Sequence, residues 1–186
     1  MNNGTKILFI GPMGAGKTTA ITCISDDPPV TTEAANSARH LSDKATTTVA
    51  MDFGRIYMDD HNAIDLYGIP GQEHFDFLWP ILERGALGAI FLLDGSNINN
   101  NIEFELEKFC SSFSRLRDNN AIVIALNRIS PDSIQICQNW LINNNLALPV
   151  ILADPRIKND VLMLVELLIA NAEVDILSTG ELDNVG

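Results

Sequence analysis

Short apolar runs alternate along the chain with longer segments whose apolar residues recur with helical period. The short runs are rich in leucine and β-branched residues, which is typical of buried strands. Alternation of this kind predicts an α/β fold with a mainly parallel sheet. The predicted strands are 5–10, 48–58, 62–68, 87–93, 121–126 and 148–152. The predicted helices are 17–24, 73–85, 101–116, 132–144 and 157–172.

The second and third strands are joined by a polar turn at 59–62, which predicts a hairpin and therefore one antiparallel strand at the sheet edge. Before the hairpin, residues 25–47 have little apolar periodicity. Loops of that length are usually functional or disordered. We expect one domain, 1–175, followed by a polar tail, 176–186, that is frayed.

Composition excludes several classes of protein. Hydrophobic residues make up 46% of the chain and charged residues 19%, as in an ordinary globular domain, and the net charge of −12 argues against a nucleic-acid ligand. The three cysteines form no Cys-x-x-Cys pair, so neither a disulfide framework nor a zinc site is expected. With no apolar run long enough to span a bilayer, we expect a cytoplasmic protein without direct membrane insertion.

Residues 11–18 read Gly-Pro-Met-Gly-Ala-Gly-Lys-Thr and follow the first predicted strand. This spacing is typical of a loop whose backbone N–H groups surround phosphate, with Lys17 reaching the β- and γ-oxygens and the Thr18 hydroxyl ligating Mg²⁺. An ordinary strand-to-helix turn with a solvated lysine is the alternative. The residues expected to contact nucleotide here are Gly11, Met13, Gly14, Ala15, Gly16, Lys17, Thr18 and Thr19.

Two further segments carry a family resemblance. Residues 66–75 resemble the switch II segment of small Ras-like GTPases, and residues 46–53 resemble the end of switch I. Over residues 5–172 the chain resembles the prokaryotic Ras-like GTPases related to the signal recognition particle receptor β subunit, with bacterial polarity and gliding-motility GTPases as cousins. The resemblance implies a P-loop NTPase fold of the Ras type: a three-layer sandwich with a six-stranded, mostly parallel sheet.

The resemblance also implies roles for individual residues. Gly71 donates its N–H to the γ-phosphate, Gln72 orients the attacking water as a catalytic residue with Lys17, and Thr48 ligates Mg²⁺ beside Thr18. For Thr48, the alternative is that three consecutive threonines simply begin a strand.

The chain differs from the resembled family in the residues expected to hold Mg²⁺. Gly68 stands where the family has an aspartate that holds Mg²⁺ through water, so we expect weaker Mg²⁺ affinity. Asp65 is no replacement, because three residues along a strand its side chain points to the opposite face.

The base-reading segment departs as well. In residues 125–130, Asn127 matches the family, Arg128 replaces a lysine, and Ser130 replaces the aspartate that reads guanine. Guanine preference is therefore expected to be relaxed. Asp132 is better explained as a residue at the start of a helix than as a substitute reader.

The loop after the last strand corresponds to the family segment whose backbone meets the base. It supplies Ala153 and Asp154 as expected base contacts, and for Asp154 a helix cap is the alternative.

These observations predict a nucleotide-dependent molecular switch with slow GTP hydrolysis, using GTP/GDP and Mg²⁺. The alternative is a binding-only scaffold with relaxed guanine specificity; a small P-loop kinase is less favoured, since no lid or acceptor-binding insert is evident. The resemblance implies a regulatory protein, of roadblock type, at the switch segments 25–48 and 71–80.

Overall fold

The computed structural model describes residues 5–31, 51–59, 61–71, 76, 78–96 and 102–180, without the side chains of residue 31 and of 173–180. The strands are β1 (Thr5–Gly11), β2 (Val30–Thr31), β3 (Asp52–Tyr57), β4 (Ala63–Pro70), β5 (Ala86–Asp94), β6 (Ile122–Asn127) and β7 (Val150–Leu152). The helices are α1 (Lys17–Ile24), α2 (Trp79–Glu83), α3 (Ile102–Ser112), α4 (Ser114–Asp118), α5 (Ser133–Asn143) and α6 (Lys158–Gly180).

The strands form a single sheet in the order β2-β3-β4-β1-β5-β6-β7. All pairs from β4 to β7 are parallel, while β3 is antiparallel to both of its neighbours. The predicted α/β class, the mainly parallel sheet and the single antiparallel strand are therefore confirmed. The expected edge position of that strand is wrong, because the two-residue β2 pairs along its outer side.

The central strands are buried on both faces, which explains their continuous apolar sequence. In β1, residues 7–10 have no exposed surface. Helices α1 and α6 pack against one face, where Phe9 and Leu164 share a cluster. The other face carries Trp79, Phe109 and Phe113, whose rings lie 5.6–5.9 Å apart around Trp79. Trp79 is thus a core residue.

Helix boundaries differ from the predicted ones at several elements. Where a helix was predicted over 73–85, the structure describes α2 over Trp79–Glu83. The predicted helix 101–116 is divided at Phe113, whose backbone leaves the helical region while its ring is fully buried. Helix α5, predicted to begin at residue 132, begins at Ser133, with Asp132 at its N-cap. Helix α6 continues past residue 172 to Gly180, so the domain boundary at 175, which stays a prediction, falls inside a helix.

Two of the three cysteines are core residues. Burial raises the pKa of the Cys110 thiol to about 12 and that of Cys137 to about 11. Cys23 is partly exposed, with Sγ 3.4 Å from the Arg156 carbonyl. The buried pair behaves as small apolar residues, as expected from the sequence.

Candidate functional site

The carboxyl ends of β1, β4, β5, β6 and β7 lie at one edge of the sheet because these strands are parallel. Open α/β sheets bind ligands at this edge. The loop from β1 to α1 bends there through Gly14 and Gly16, which both have left-handed backbone, with φ of 79° and 102°. Gly11 approaches β5 so closely that a Cβ would collide with the Leu92 carbonyl oxygen. The glycine spacing therefore serves both the turn and the close packing.

Lys17 is folded back over its own loop. Its Nζ donates to the carbonyl oxygens of Gly11 and Pro12, each at 2.8 Å. Burial lowers the pKa of the Lys17 ammonium from 10.5 to about 8, although the nearby charges of Asp52 and Glu105 oppose that shift. Within the part of the chain that the structure describes, both hydrogen bonds of this partly buried cation go to neutral carbonyls, which gives it an electrostatic preference for an anion. Lys17 is therefore placed as an anion-binding group.

The Thr18 hydroxyl lies beside the carboxylate of Asp52, a residue that is distant in sequence and belongs to β3. Its Oγ1 donates to Asp52 Oδ2 at 2.6 Å, and Asp52 pairs with Gly68 across the β3–β4 hairpin. A Cβ at position 68 would lie 2.9 Å from that same oxygen. Gly68 thus leaves room for Asp52, and the carboxylate missing from β4 is replaced by one from β3.

Asp65 does not take part in this arrangement. It forms an ion pair with Arg55 at 2.7 Å, on the other face of the hairpin. The expectation that Asp65 cannot substitute at the metal site is thus consistent with its observed partner. Asp52 is the functional candidate that sequence reasoning missed, and the hairpin register opposite Gly68 was the signal that pointed to it.

Gly71 connects the phosphate loop to α3. Its N–H donates to the Gly11 carbonyl oxygen at 3.1 Å, so Gly11 accepts from both Gly71 and Lys17. The Gly71 carbonyl in turn accepts from Lys108 Nζ at 2.5 Å. A Cβ at position 71 would lie 2.6 Å from Gly11 O, and only glycine permits this approach.

The end of β6 is hydrogen-bonded directly to the phosphate loop. Asn127, 4% exposed, donates through Nδ2 to the Ala15 carbonyl oxygen at 2.6 Å. Arg128 has left-handed backbone with φ of 45°, and its guanidinium contacts Gly14 O at 2.5 Å and Asp94 at 3.2 Å. A non-glycine residue held in this conformation is often found at functional sites.

Beside these residues lies a cavity of about 560 Å³. This volume is within the range of small-molecule sites. Its lining combines the phosphate loop, the end of β6 and the loop after β7: Gly14, Gly16, Thr19, Leu126, Asn127, Arg128, Ile129, Leu152, Ala153, Asp154, Pro155, Arg156 and Asp160.

The structure therefore brings most of the predicted site residues to one edge of the sheet. These residues lie at strand ends, in the loops that follow them, or in the first turn of α1: the predicted phosphate-loop residues, Gly71, Asn127, Arg128, Ala153 and Asp154. The predicted roles of Thr48 and Gln72 lie outside the described residues. Within the described ranges, no group of three or more histidine, cysteine, aspartate or glutamate side chains could hold a metal.

The sequence model of a family described as conserved hypothetical ATP binding protein matches residues 27–140, which is more than half of the chain. The chain belongs to this family of conserved hypothetical ATP binding proteins. Membership indicates nucleotide binding, in agreement with the geometry at the sheet edge.

The family match begins after the phosphate loop and ends before β7, so it covers neither residues 11–18 nor residues 153–157. No curated protein matches the chain in sequence. Among the helices described, none combines the length and the apolar character needed to cross a membrane.

Proposed function

We propose that the chain is a small GTP-binding protein of the Ras-like kind that acts as a nucleotide-dependent switch and hydrolyses GTP slowly. The observation that carries this proposal is the buried Lys17 ammonium, held over the left-handed glycines of the phosphate loop. Asn127 supports it by joining that loop to the cavity in which a base would lie.

The residues present fit an Mg²⁺ ion. Thr18 Oγ1 and the Asp52 carboxylate are oxygen donors in contact, and Mg²⁺ is usually bound by one or two protein oxygens, with water and phosphate completing its shell. When bound, the ion would neutralise charge on the β- and γ-phosphates. Thr48 is proposed as a further ligand.

The switch would depend on the shared Gly11 carbonyl. Phosphate oxygens arriving in the loop are stronger partners for Lys17 than the two carbonyls that it now contacts. The Gly71 N–H must leave Gly11 O before it can donate to a γ-phosphate. A triphosphate and a diphosphate would therefore leave Gly71 with different partners, and its carbonyl transmits that difference to Lys108 on α3.

The second candidate is a binding-only scaffold. Gly68 and Ser130 favour it, since both replace aspartates of the resembled family. Asp52 weakens the argument from Gly68, because its carboxylate lies beside the Thr18 hydroxyl, where an Mg²⁺ ion would be held under the first proposal. Turnover then rests on Gln72, whose proposed role is to orient the attacking water.

Calorimetry with GTP, GDP, ATP and ADP, with and without Mg²⁺, followed by phosphate-release assays, tests the proposal. We expect GTP and GDP to bind and GTP to be hydrolysed slowly. Lys17→Met should abolish binding, while Gln72→Ala should preserve binding and slow phosphate release. Unchanged binding by Lys17→Met would refute the proposed phosphate site, and equal turnover by Gln72→Ala would favour the scaffold.

A roadblock-type regulatory protein at segments 25–48 and 71–80, together with a cytoplasmic location, is proposed on the same resemblance. Most of segment 25–48 lies outside the described residues. Co-purification of the chain with such a regulator in the presence of GDP or a non-hydrolysable GTP analogue would test whether contact depends on the nucleotide.

A further inference from the structure

The cavity beside Asn127 and Arg128 contains acidic side chains, although Ser130 has taken the place of the expected one. Of the lining residues, Asp154 and Asp160 are acidic, and both follow β7. Asp160 is already engaged, since its Oδ2 accepts the Asp154 backbone N–H at 2.9 Å. Asp160 thereby holds the backbone of the loop in place, whereas the side-chain partner of the Asp154 carboxylate is the exposed guanidinium of Arg156. Asp154 is therefore the carboxylate whose pairing can be exchanged for a base.

Asp154 is fixed in place by its neighbours. Arg156 contacts its carboxylate through Nη2 at 2.6 Å and through Nε at 2.9 and 3.2 Å. These hydrogen bonds lower the pKa of Asp154 to about 2, and the charge of Arg128 contributes to the same shift. The carboxylate is therefore ionised at neutral pH and lies within electrostatic reach of Arg128.

Guanine can displace part of this pairing. The Arg156 side chain is 78% exposed, and ion pairs in water are held weakly. The Arg156 side chain contacts both carboxylate oxygens through Nε and Nη2, so a base would have to displace these bonds to reach the two acceptors. A guanidinium released from Asp154 can stack on the face of a base, a contact that arginine makes well.

The backbone of the same loop has no N–H to spare. Ala153 donates to Leu126 O at 3.1 Å, and Ile157 donates to Asp154 O at 2.9 Å. Arg156 N–H donates to Asp154 Oδ1 at 2.9 Å, and Pro155 has no N–H. Base discrimination by residues 153–157 therefore falls on the Asp154 side chain.

We propose that Asp154 is the base-specificity residue of this site, accepting the N1–H and 2-amino hydrogens of guanine in place of an acid at position 130. An ionised carboxylate presents two acceptors side by side, which match the two adjacent donors of guanine. Adenine places the acceptor N1 beside its 6-amino group, so one carboxylate oxygen would face a lone pair. The proposal rests on the proposed function and restores the guanine preference that Ser130 would otherwise remove.

The test is a set of dissociation constants, measured by calorimetry, for GDP, ADP, inosine diphosphate and xanthosine diphosphate. The unaltered protein should prefer GDP to ADP, and to inosine diphosphate, by roughly tenfold or more, as expected for loss of a hydrogen bond to a charged group. In Asp154→Asn, GDP affinity should fall by roughly ten- to a hundredfold, and xanthosine diphosphate should become the preferred ligand. The asparagine amide can donate to the 2-oxo group of xanthine, which replaces the 2-amino group of guanine. Because only folded protein can gain affinity for xanthosine diphosphate, this result could not come from misfolding.

Asp132→Asn is the matched control. Asp132 stands two positions after Ser130 in the sequence, is exposed, and is not among the residues that line the cavity. Its substitution should leave GDP affinity unchanged. The proposal is overturned if Asp154→Asn keeps the preference for GDP, if Asp132→Asn removes it, or if the unaltered protein binds GDP and ADP equally. Failure to bind any of the diphosphates would overturn the proposed function and this proposal with it.

Discussion

Lys17 should lower the stability of the ligand-free protein, although it serves nucleotide binding. The difference in free energy of unfolding between the unaltered protein and Lys17→Met measures this effect. Burial lowers the pKa of the ammonium from 10.5 to about 8. At about 1.4 kcal/mol for each pKa unit, keeping Lys17 protonated in the folded state at pH 7 costs on the order of 3 kcal/mol. Methionine retains most of the side-chain volume but carries no charge.

The substitution leaves neither carbonyl partner without a donor. Gly11 O still accepts the Gly71 N–H at 3.1 Å, and Pro12 O still accepts the Ala15 N–H at 3.2 Å. Removing one partner therefore does not orphan the other, which is the usual reason that such a change destabilises. We expect the free energy of unfolding at pH 7 to rise by about 1–3 kcal/mol, because part of the burial cost is offset by the two lost hydrogen bonds.

The pH dependence of the free energy of unfolding provides a second test of the role of Lys17. Between about pH 8 and 10.5 the unfolded chain keeps the Lys17 proton while the folded chain has lost it. The free energy of unfolding of the unaltered protein should therefore rise with pH in this interval, by about 1.4 kcal/mol per unit at most, and Lys17→Met should lack this contribution. The stability gap between the two proteins should narrow from pH 7 to pH 9.

Urea unfolding at pH 7 and pH 9, followed by circular dichroism, measures both quantities, and calorimetry measures nucleotide affinity in parallel. We expect the variant to be more stable and unable to bind. A variant that is less stable at pH 7, with a gap that does not change by pH 9, would refute the view that burial dominates the energetics of Lys17.

Three other substitutions or reagents test the remaining structure. Gly68→Ala places a Cβ 2.9 Å from Asp52 Oδ2, so it should move that carboxylate and lower the free energy of unfolding by about 1–3 kcal/mol. A titration should show that the variant needs more Mg²⁺ for tight nucleotide binding. An unchanged Mg²⁺ requirement would count against a role for Asp52 in holding the ion. Phe113→Ala removes a fully buried ring and should cost about 3–5 kcal/mol in urea unfolding; a loss below 1 kcal/mol would mean that the core at this position is not packed as described. Cys110 and Cys137 are buried and have raised pKa values, so they should not react with a thiol reagent at pH 8 until urea unfolds the chain. Mass spectrometry measures this labelling. Rapid labelling of either cysteine in the native protein would contradict its placement in the core.

Much of the fold could be predicted because its signals are local. The apolar runs of β1, β5 and β6 are buried on both faces, so each appears in the sequence as a nearly continuous hydrophobic segment. The glycine spacing before Lys17 likewise defines a turn and a helix start without tertiary information, and α1 has its predicted bounds. By contrast, β2 has two residues and depends entirely on its pairing with β3, which no pattern within residues 25–47 indicates.

The candidate site was predictable only in part, for the same reason. Lys17, Thr18 and Asn127 belong to contiguous motifs, whereas Asp52 becomes a candidate only through strand register. The helix break at Phe113 could not be predicted from the sequence either. Its backbone is not helical and its ring is buried in a core that distant elements of the chain form. Helical period continues through such a position even where the helix does not.

The two departures from the resembled family follow one physical rule. Gly68 lacks a carboxylate, and Asp52 brings one from the paired strand to within 2.6 Å of Thr18. Ser130 lacks another, and Asp154, in the loop after the neighbouring strand β7, lines the cavity beside Asn127 and Arg128. A phosphate-bound cation or a purine edge responds to where a charge lies in space and not to which strand carries it. Asp52 begins the antiparallel strand β3 opposite Gly68, whereas Asp154 follows β7, the parallel neighbour of β6. In both cases strand pairing would let a carboxylate from a neighbouring strand take the place of one that the resembled family carries in its motif.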